Sequence, residues 1–220
     1  MAIEKLDITP LRLEDWGLLE YQAAFERQQQ LVKEHHQGDG KDTLVFVEHP
    51  AIVTLGRRAG DDDLRGSQAD FGTAQVDLQR INRGGLATAH EPGQLVIYPI
   101  IRLQRQDLRW YADTLLKTVI AVLAEYELQG SLKDGEPGVW VNGRKICSFG
   151  IAVKKWVSSH GLGFNINNDL KTFDLIVPCG RPAETVTSVA RELGRSLPMA
   201  EVKEKFLQHF LTAFAYQLKP

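Results

Sequence analysis

The chain has 220 residues, of which 43% are hydrophobic and 25% charged, with a formal net charge of -2. That composition is ordinary for one large globular domain, and the near-neutral balance excludes whole-chain attraction to nucleic acid or an anionic membrane. No apolar stretch approaches the roughly 20 residues that span a bilayer, and "MAIEKLDITP" lacks the basic-then-apolar order of a secretory signal.

Residues 15–36 place Leu18, Tyr21, Phe25 and Val32 at near-helical spacing behind a capping candidate, Asp15, so a helix is predicted there, closed by "QGDGKD". "TLVFVEH" and "AIVTLG" are β-branched runs separated by Pro50, hence two strands with a break. "RRAGDDDLRGSQADFG" has no apolar periodicity and is expected to be a long polar loop; "AQVDLQRIN" then reads as a strand entering the glycine-rich "RGGLATAHEPGQLVIYPI". Residues 107–128 carry Leu108, Tyr111, Leu115, Val119, Val122 and Tyr126 on one helical face. Asn142-Gly143 sits between two apolar runs and supplies the positive φ angles of a tight hairpin turn. "SHGLGFNIN" reads as a strand. "TVTSVARELG" reads as a short helix ended by Gly194, and Ser196 introduces a last helix along Val202, Phe206, Phe210 and Phe214. Hairpins outnumber βαβ units, which predicts an α+β fold with a mixed, largely antiparallel sheet flanked by helices, and residues 1–220 as a single domain.

Three pieces stand out chemically. The adjacent Gly84 and Gly85 let a ligand approach the backbone and leave N–H groups to donate, but the stretch matches no nucleotide-binding loop, and a wide hairpin loop is an equal reading. Lys145 stands two residues past the hairpin turn, where the strand is about to become interior; a solvated lysine is the ordinary case there. The same holds for the basic pairs Arg57-Arg58, Arg144-Lys145 and Lys154-Lys155. Cys179 lies between Pro178 and Gly180, a turn that exposes a side chain at the end of the run "FDLIV". A free thiol is only a few per cent thiolate at neutral pH, and a nearby ammonium raises that fraction. Cys147 competes, since strand alternation places it on the face of Lys145, although a buried filler thiol is expected inside an apolar strand. Two isolated cysteines form no disulfide framework and suit a reducing cytoplasm, and the six histidines make no H-x-x-x-H group, so no metal is expected.

"HPAIVTLGRRA", "RGGLATAHEPGQLVIYPI", "PGVWVNGRKICSFGIAV", "SHGLGFNIN" and "FDLIVPCG" are similar, in order and spacing, to the motifs of octanoyltransferases, the lipoyl(octanoyl) transferases of lipoate biosynthesis. The resemblance implies a fold like that of biotin and lipoate protein ligases. It implies octanoyl transfer from acyl carrier protein to a lysine on lipoyl domains of 2-oxoacid dehydrogenases and the glycine cleavage system, with no cofactor. Carried over by position, the acyl-accepting cysteine falls on Cys179 and its partner lysine on Lys145. The acyl-binding segments fall on Arg83, Gly84, Gly85, Leu86, Ala87, Thr88, Ala89 and His90, on Ser148, Phe149 and Gly150, and on Gly161, Leu162 and Gly163. The family usually has Tyr-His-Gly-Pro-Gly-Gln where this chain has Ala89 to Gln94, and a glutamine where Leu86 stands. A pocket-wall tyrosine is thereby lost and a carboxylate, Glu91, set beside the histidine. Backbone N–H groups near Gly84-Gly85 or Gly180 are the oxyanion candidates, and Arg57, Arg58 and Arg144 the candidates for meeting an acidic carrier. Rival readings are an ATP-dependent ligase on the same fold, a cysteine hydrolase using His90 or His160 as base, and a non-catalytic binder of carrier or lipoyl domains.

Overall fold

The computed structural model describes residues 9–177 and 186–218, so Cys179 and Gly180 lie outside the described residues. Eleven strands and five α-helices follow one another along these residues: β1 (Thr9–Leu18), α1 (Tyr21–Gln37), β2 (Thr43–Glu48), β3 (Ile52–Leu55), α2 (Gln68–Thr73), β4 (Asp77–Arg80), β5 (Ala87–His90), β6 (Gln94–Ile100), α3 (Leu108–Ala124), β7 (Ser131–Lys133), β8 (Glu136–Val141), β9 (Arg144–Lys154), β10 (Val157–Asn165), α4 (Val189–Leu193), α5 (Met199–Phe214) and β11 (Tyr216–Leu218).

Eight strands form one sheet in the order β11-β1-β2-β6-β10-β9-β8-β7. The β11-β1-β2 edge is parallel and every other pairing is antiparallel. The middle strands are apolar on both faces because both faces are covered. Leu44, Phe46, Leu95 and Ile97 turn toward α3 and α5, while Val45, Val47, Val96 and Tyr98 turn toward α1. A second, three-stranded sheet, β4-β3-β5, has its own cluster of Val53, Leu55, Phe71, Ala87 and Ala89. Leu170, Phe173 and Ile176 complete that cluster. The α+β expectation with a mixed, largely antiparallel sheet is what the chain adopts.

Two predicted boundaries move. Asp15 caps no helix: residues 15–18 belong to β1, and α1 starts at Tyr21. Leu18, counted into the helical stripe, is 63% exposed, and the buried stripe is Tyr21, Ala24, Gln28, Leu31, Val32 and His35. The polar loop contains α2, which begins where Ser67 and Asp70 exchange side-chain and backbone hydrogen bonds as a capping box. The last helix is preceded directly by Pro198 rather than Ser196. The Asn142-Gly143 turn forms as predicted, with φ of 49° and 77°.

Candidate active site

Where β5 of the small sheet faces β9 and β10 of the large one, a cavity of about 250 Å³ opens. Thr88 and Ser148 meet across it through their hydroxyls at 3.4 Å. Its walls bring together the three segments that the resemblance marked: Arg83, Gly85, Leu86, Ala87, Thr88 and His90; Ser148, Phe149 and Gly150; Gly161, Leu162 and Gly163. Lys145 lines the same cavity, and so do Tyr21, Arg58, Tyr98, Glu136, Pro137 and His160. Gly84 and Ala89 are the two marked residues that do not line it. Ala89 packs into the cluster of the small sheet.

Lys145 is not the solvated lysine that strand position suggests: it is 4% exposed. The cause is a bulge. Val139 opposes Cys147 but Trp140 opposes Lys145, so Ile146 is an extra residue in β9 and the alternation of sides breaks there. Lys145 thereby faces the cavity while Ile146 and Cys147 enter the main core, which removes Cys147 from the face of Lys145. Burial drives the Cys147 thiol well above its usual range, only partly opposed by the Lys145 charge, so this sulfur is a packed, protonated filler. The Lys145 ammonium lies 5.3 Å from the centre of the Trp140 ring, whose other cation, Lys133, sits at 3.7 Å. Val186 pairs with Lys145, and Thr187 N–H donates to the Lys145 carbonyl at 2.9 Å. The chain therefore resumes, after the residues that include Cys179, directly on the strand of the lysine.

The Arg83 guanidinium is buried and braces the glycine-rich wall. Nη2 donates to the carbonyl and hydroxyl of Thr54 at 2.7 and 2.9 Å, and Nη1 donates to the Gly84 carbonyl at 3.0 Å. The Gly84 N–H donates to the Ile151 carbonyl at 3.0 Å, which takes it out of the set of oxyanion donors. Gly161 is glycine for a packing reason: a Cβ there would lie 2.1 Å from the Ile97 carbonyl oxygen of the neighbouring strand.

Beneath the cavity lies a polar floor gathered from four segments. Gln94 donates its amide to the Ala89 carbonyl and to Asn165 Oδ1, so its oxygen accepts from His90 Nδ1 at 2.7 Å. His49 Nδ1 donates to the Leu19 carbonyl at 2.7 Å, and its Nε2 accepts from the Tyr98 hydroxyl at 2.8 Å. His160 Nε2 contacts Asn82 Oδ1 at 2.7 Å, and its backbone N–H donates to Gln28. Desolvation is the first cause that lowers all three imidazoles: His90 to about 3, with His49 and Arg83 adding repulsion, His49 to about 4, and His160 to about 4 beside Arg83. Each is a neutral hydrogen-bonding group and a weak base at neutral pH.

Glu91 does not turn to His90. Its carboxylate points away, to the segment 168–172. Of the arginines expected to meet a carrier, Arg57 and Arg58 are exposed, with Arg58 at the cavity, whereas Arg144 is paired with Glu192 at 2.8 Å.

Residues 20–211 match the model of the lipoyl protein ligase A/B catalytic domain. The chain is 43% identical over 196 residues to a protein of Rubrobacter xylanophilus named octanoyltransferase, covering 88% of this chain and 89% of that one. Its fold is similar to that of a bipartite lipoate protein ligase from Thermoplasma acidophilum, with a TM-score of 0.75 at 15% identity over 96% of this chain and 86% of the other. It is also similar to a biotin protein ligase from Aquifex aeolicus, with a TM-score of 0.54 at 15% identity over 94% and 70%. Fold and site thus define a catalytic domain of the lipoyl protein ligase A/B class, and within it the chain belongs to the octanoyltransferase family. It is an acyltransferase. Among the described residues no helix is long and apolar enough to cross a membrane.

Proposed function

We propose that the chain, as a single catalytic domain, moves an octanoyl group from octanoyl-acyl carrier protein to a lysine of lipoyl domains through a thioester on Cys179. The observation that carries this reading is the burial of Lys145 in the same cavity as the three acyl-binding segments, on the strand that receives the chain just after the residues containing Cys179. In the first step the Cys179 thiolate, favoured by the Lys145 ammonium, attacks the donor carbonyl. The C–S bond to the carrier breaks, and the departing carrier sulfur takes a proton from the Lys145 ammonium and leaves as the thiol, so Lys145 becomes the neutral amine. In the second step the neutral amine of the target lysine attacks the Cys179 thioester, an amide forms, and the thiolate is released. Lys145 accepts the proton of the attacking amine; His90, held near 3, is too weak a base for that task. Thioester exchange is nearly balanced and amide formation from a thioester is downhill, so no nucleotide enters. A hydrolase would need His90 or His160 as base, and their depressed pKa values weigh against it.

The test is a three-way incubation with a lipoyl domain. Octanoyl-carrier protein without ATP is expected to give the octanoylated domain. Free octanoate with ATP is expected to give none. Product only in the second arm would make the protein a ligase. Steady release of octanoate without a lipoyl domain would make it a hydrolase.

A further inference from the structure

We infer that Glu91 is a positioning residue for Cys179, its buried carboxylate fixing the run of residues 168–177 that leads to the sulfur; the inference rests on the reading of Cys179 as the acyl acceptor. Glu91 is 4% exposed and accepts three hydrogen bonds from one stretch of chain. Oε1 accepts from the Leu170 backbone N–H at 2.7 Å and from Asn168 Nδ2 at 2.8 Å, and Oε2 accepts from the Thr172 backbone N–H at 2.9 Å. Hydrogen bonds to a carboxylate are the strong class, and here both oxygens are used.

The geometry they hold is one the chain would not choose. Leu170 has φ 71° and ψ 9°, a left-handed conformation that a leucine keeps only when its surroundings over-determine it. That turn opens the 3-10 helix Lys171–Leu175, whose last carbonyl accepts from Arg65 at 2.9 Å. Ile176 bridges to Leu64, and Val177 N–H donates to the Asp63 carbonyl at 2.9 Å, two residues before Cys179. At its other end Glu91 follows His90 of the cavity wall, and its own carbonyl accepts from Gln94 N–H at 3.1 Å. One side chain therefore couples the glycine-rich wall to the run that precedes the nucleophile. Beyond residues 178–185 the chain is fixed a second time, at Val186 on Lys145.

A purely structural carboxylate would change only stability; a positioning carboxylate changes the chemistry of one distant sulfur. The test uses Glu91→Gln in the full chain, with Glu91→Ala as the second variant and circular dichroism to confirm folding. In Glu91→Gln one oxygen can still accept, while an amide N–H₂ opposes the Thr172 N–H. Single-turnover octanoylation of Cys179 and kcat are expected to fall about 10- to 100-fold, the cost of misplacing a reacting group by an ångström, with KM for the octanoyl-carrier nearly unchanged. The rate of Cys179 alkylation by iodoacetamide across a pH series is expected to change as well. Cys147 is 0% exposed, so labelling reports Cys179, with Cys179→Ser as the blank. Folded variants that melt earlier yet are octanoylated and alkylated at wild-type rates would overturn the inference. Slowed alkylation in Glu91→Gln, in a protein whose wild type takes no octanoyl group, would uphold the positioning role and remove the proposed reaction instead.

Discussion

Gly138 lies on β8 directly beneath the lysine, and its replacement by alanine is the sharpest structural test of how Lys145 is held. Its φ is 141°, a backbone that side chains rarely adopt, and a Cβ there would lie 2.5 Å from the Cys147 carbonyl oxygen and 2.7 Å from Lys145 Cε. The lysine can swing aside, but the carbonyl belongs to the β9 backbone and cannot. Overpacking of about 1–3 kcal/mol and backbone strain of about 1–2 kcal/mol sum to about 2–5 kcal/mol. In a domain of this size that lowers Tm by about 4–20 °C. Differential scanning calorimetry gives the shift, and octanoyl transfer measured well below the variant's Tm reads the displaced ammonium. Activity is expected to drop even where Gly138→Ala is fully folded. Adding Lys145→Ala should recover part of the lost stability, because one of the two collisions disappears. A Gly138→Ala protein that melts within about 1 °C of wild type and turns over normally would refute the packing argument.

Cys147→Ala should leave transfer unchanged and lower Tm by about 2–4 °C, the cost of about 1 kcal/mol for an emptied sulfur site; loss of activity would reinstate Cys147 as a nucleophile. The three depressed histidines predict acid sensitivity. Below the ordinary value of 6.5 the unfolded chain protonates while the folded one, with His49, His90 and His160 near 4, 3 and 4, does not, so stability is complete above 6.5 and drains as pH falls toward 4. All three act in the same direction, so Tm is expected to fall between pH 7 and pH 5; a Tm constant over that range would contradict it. Leu86→Trp fills part of the 250 Å³ cavity and should shift preference toward shorter acyl chains in a competition between hexanoyl- and octanoyl-carrier protein; an unaltered ratio would place the chain elsewhere.

Much of the framework was legible because it rests on periodicity. The phenylalanines of α5, the Asn142-Gly143 turn and the Tyr111, Leu115, Val119 and Val122 stripe of α3 are local signals that formed where they were read, although Leu108 is exposed and Tyr126 lies past the end of α3. The three segments that the resemblance marks for the acyl chain were legible only through that resemblance, and the fold brings them to one cavity. What escaped is non-local. The bulge at Ile146 depends on how β8 pairs with β9, so nothing in "RKICSFG" shows that Lys145 and Cys147 part ways. Tyr21 and Tyr98 enter the cavity floor from a helix and a strand far apart in sequence; their membership in buried stripes gave the one available hint. Glu91 is adjacent to His90 in sequence, but its three donors come from residues about 80 positions later.

The central claim, a transient octanoyl thioester on Cys179, is tested most directly by intact-mass and peptide analysis after brief incubation with octanoyl-carrier protein alone. The account predicts a gain of one octanoyl group, labile to hydroxylamine, confined to the peptide containing Cys179 and discharged when a lipoyl domain is added. No adduct on the wild type, or an equally labile adduct that persists in Cys179→Ser, would contradict it.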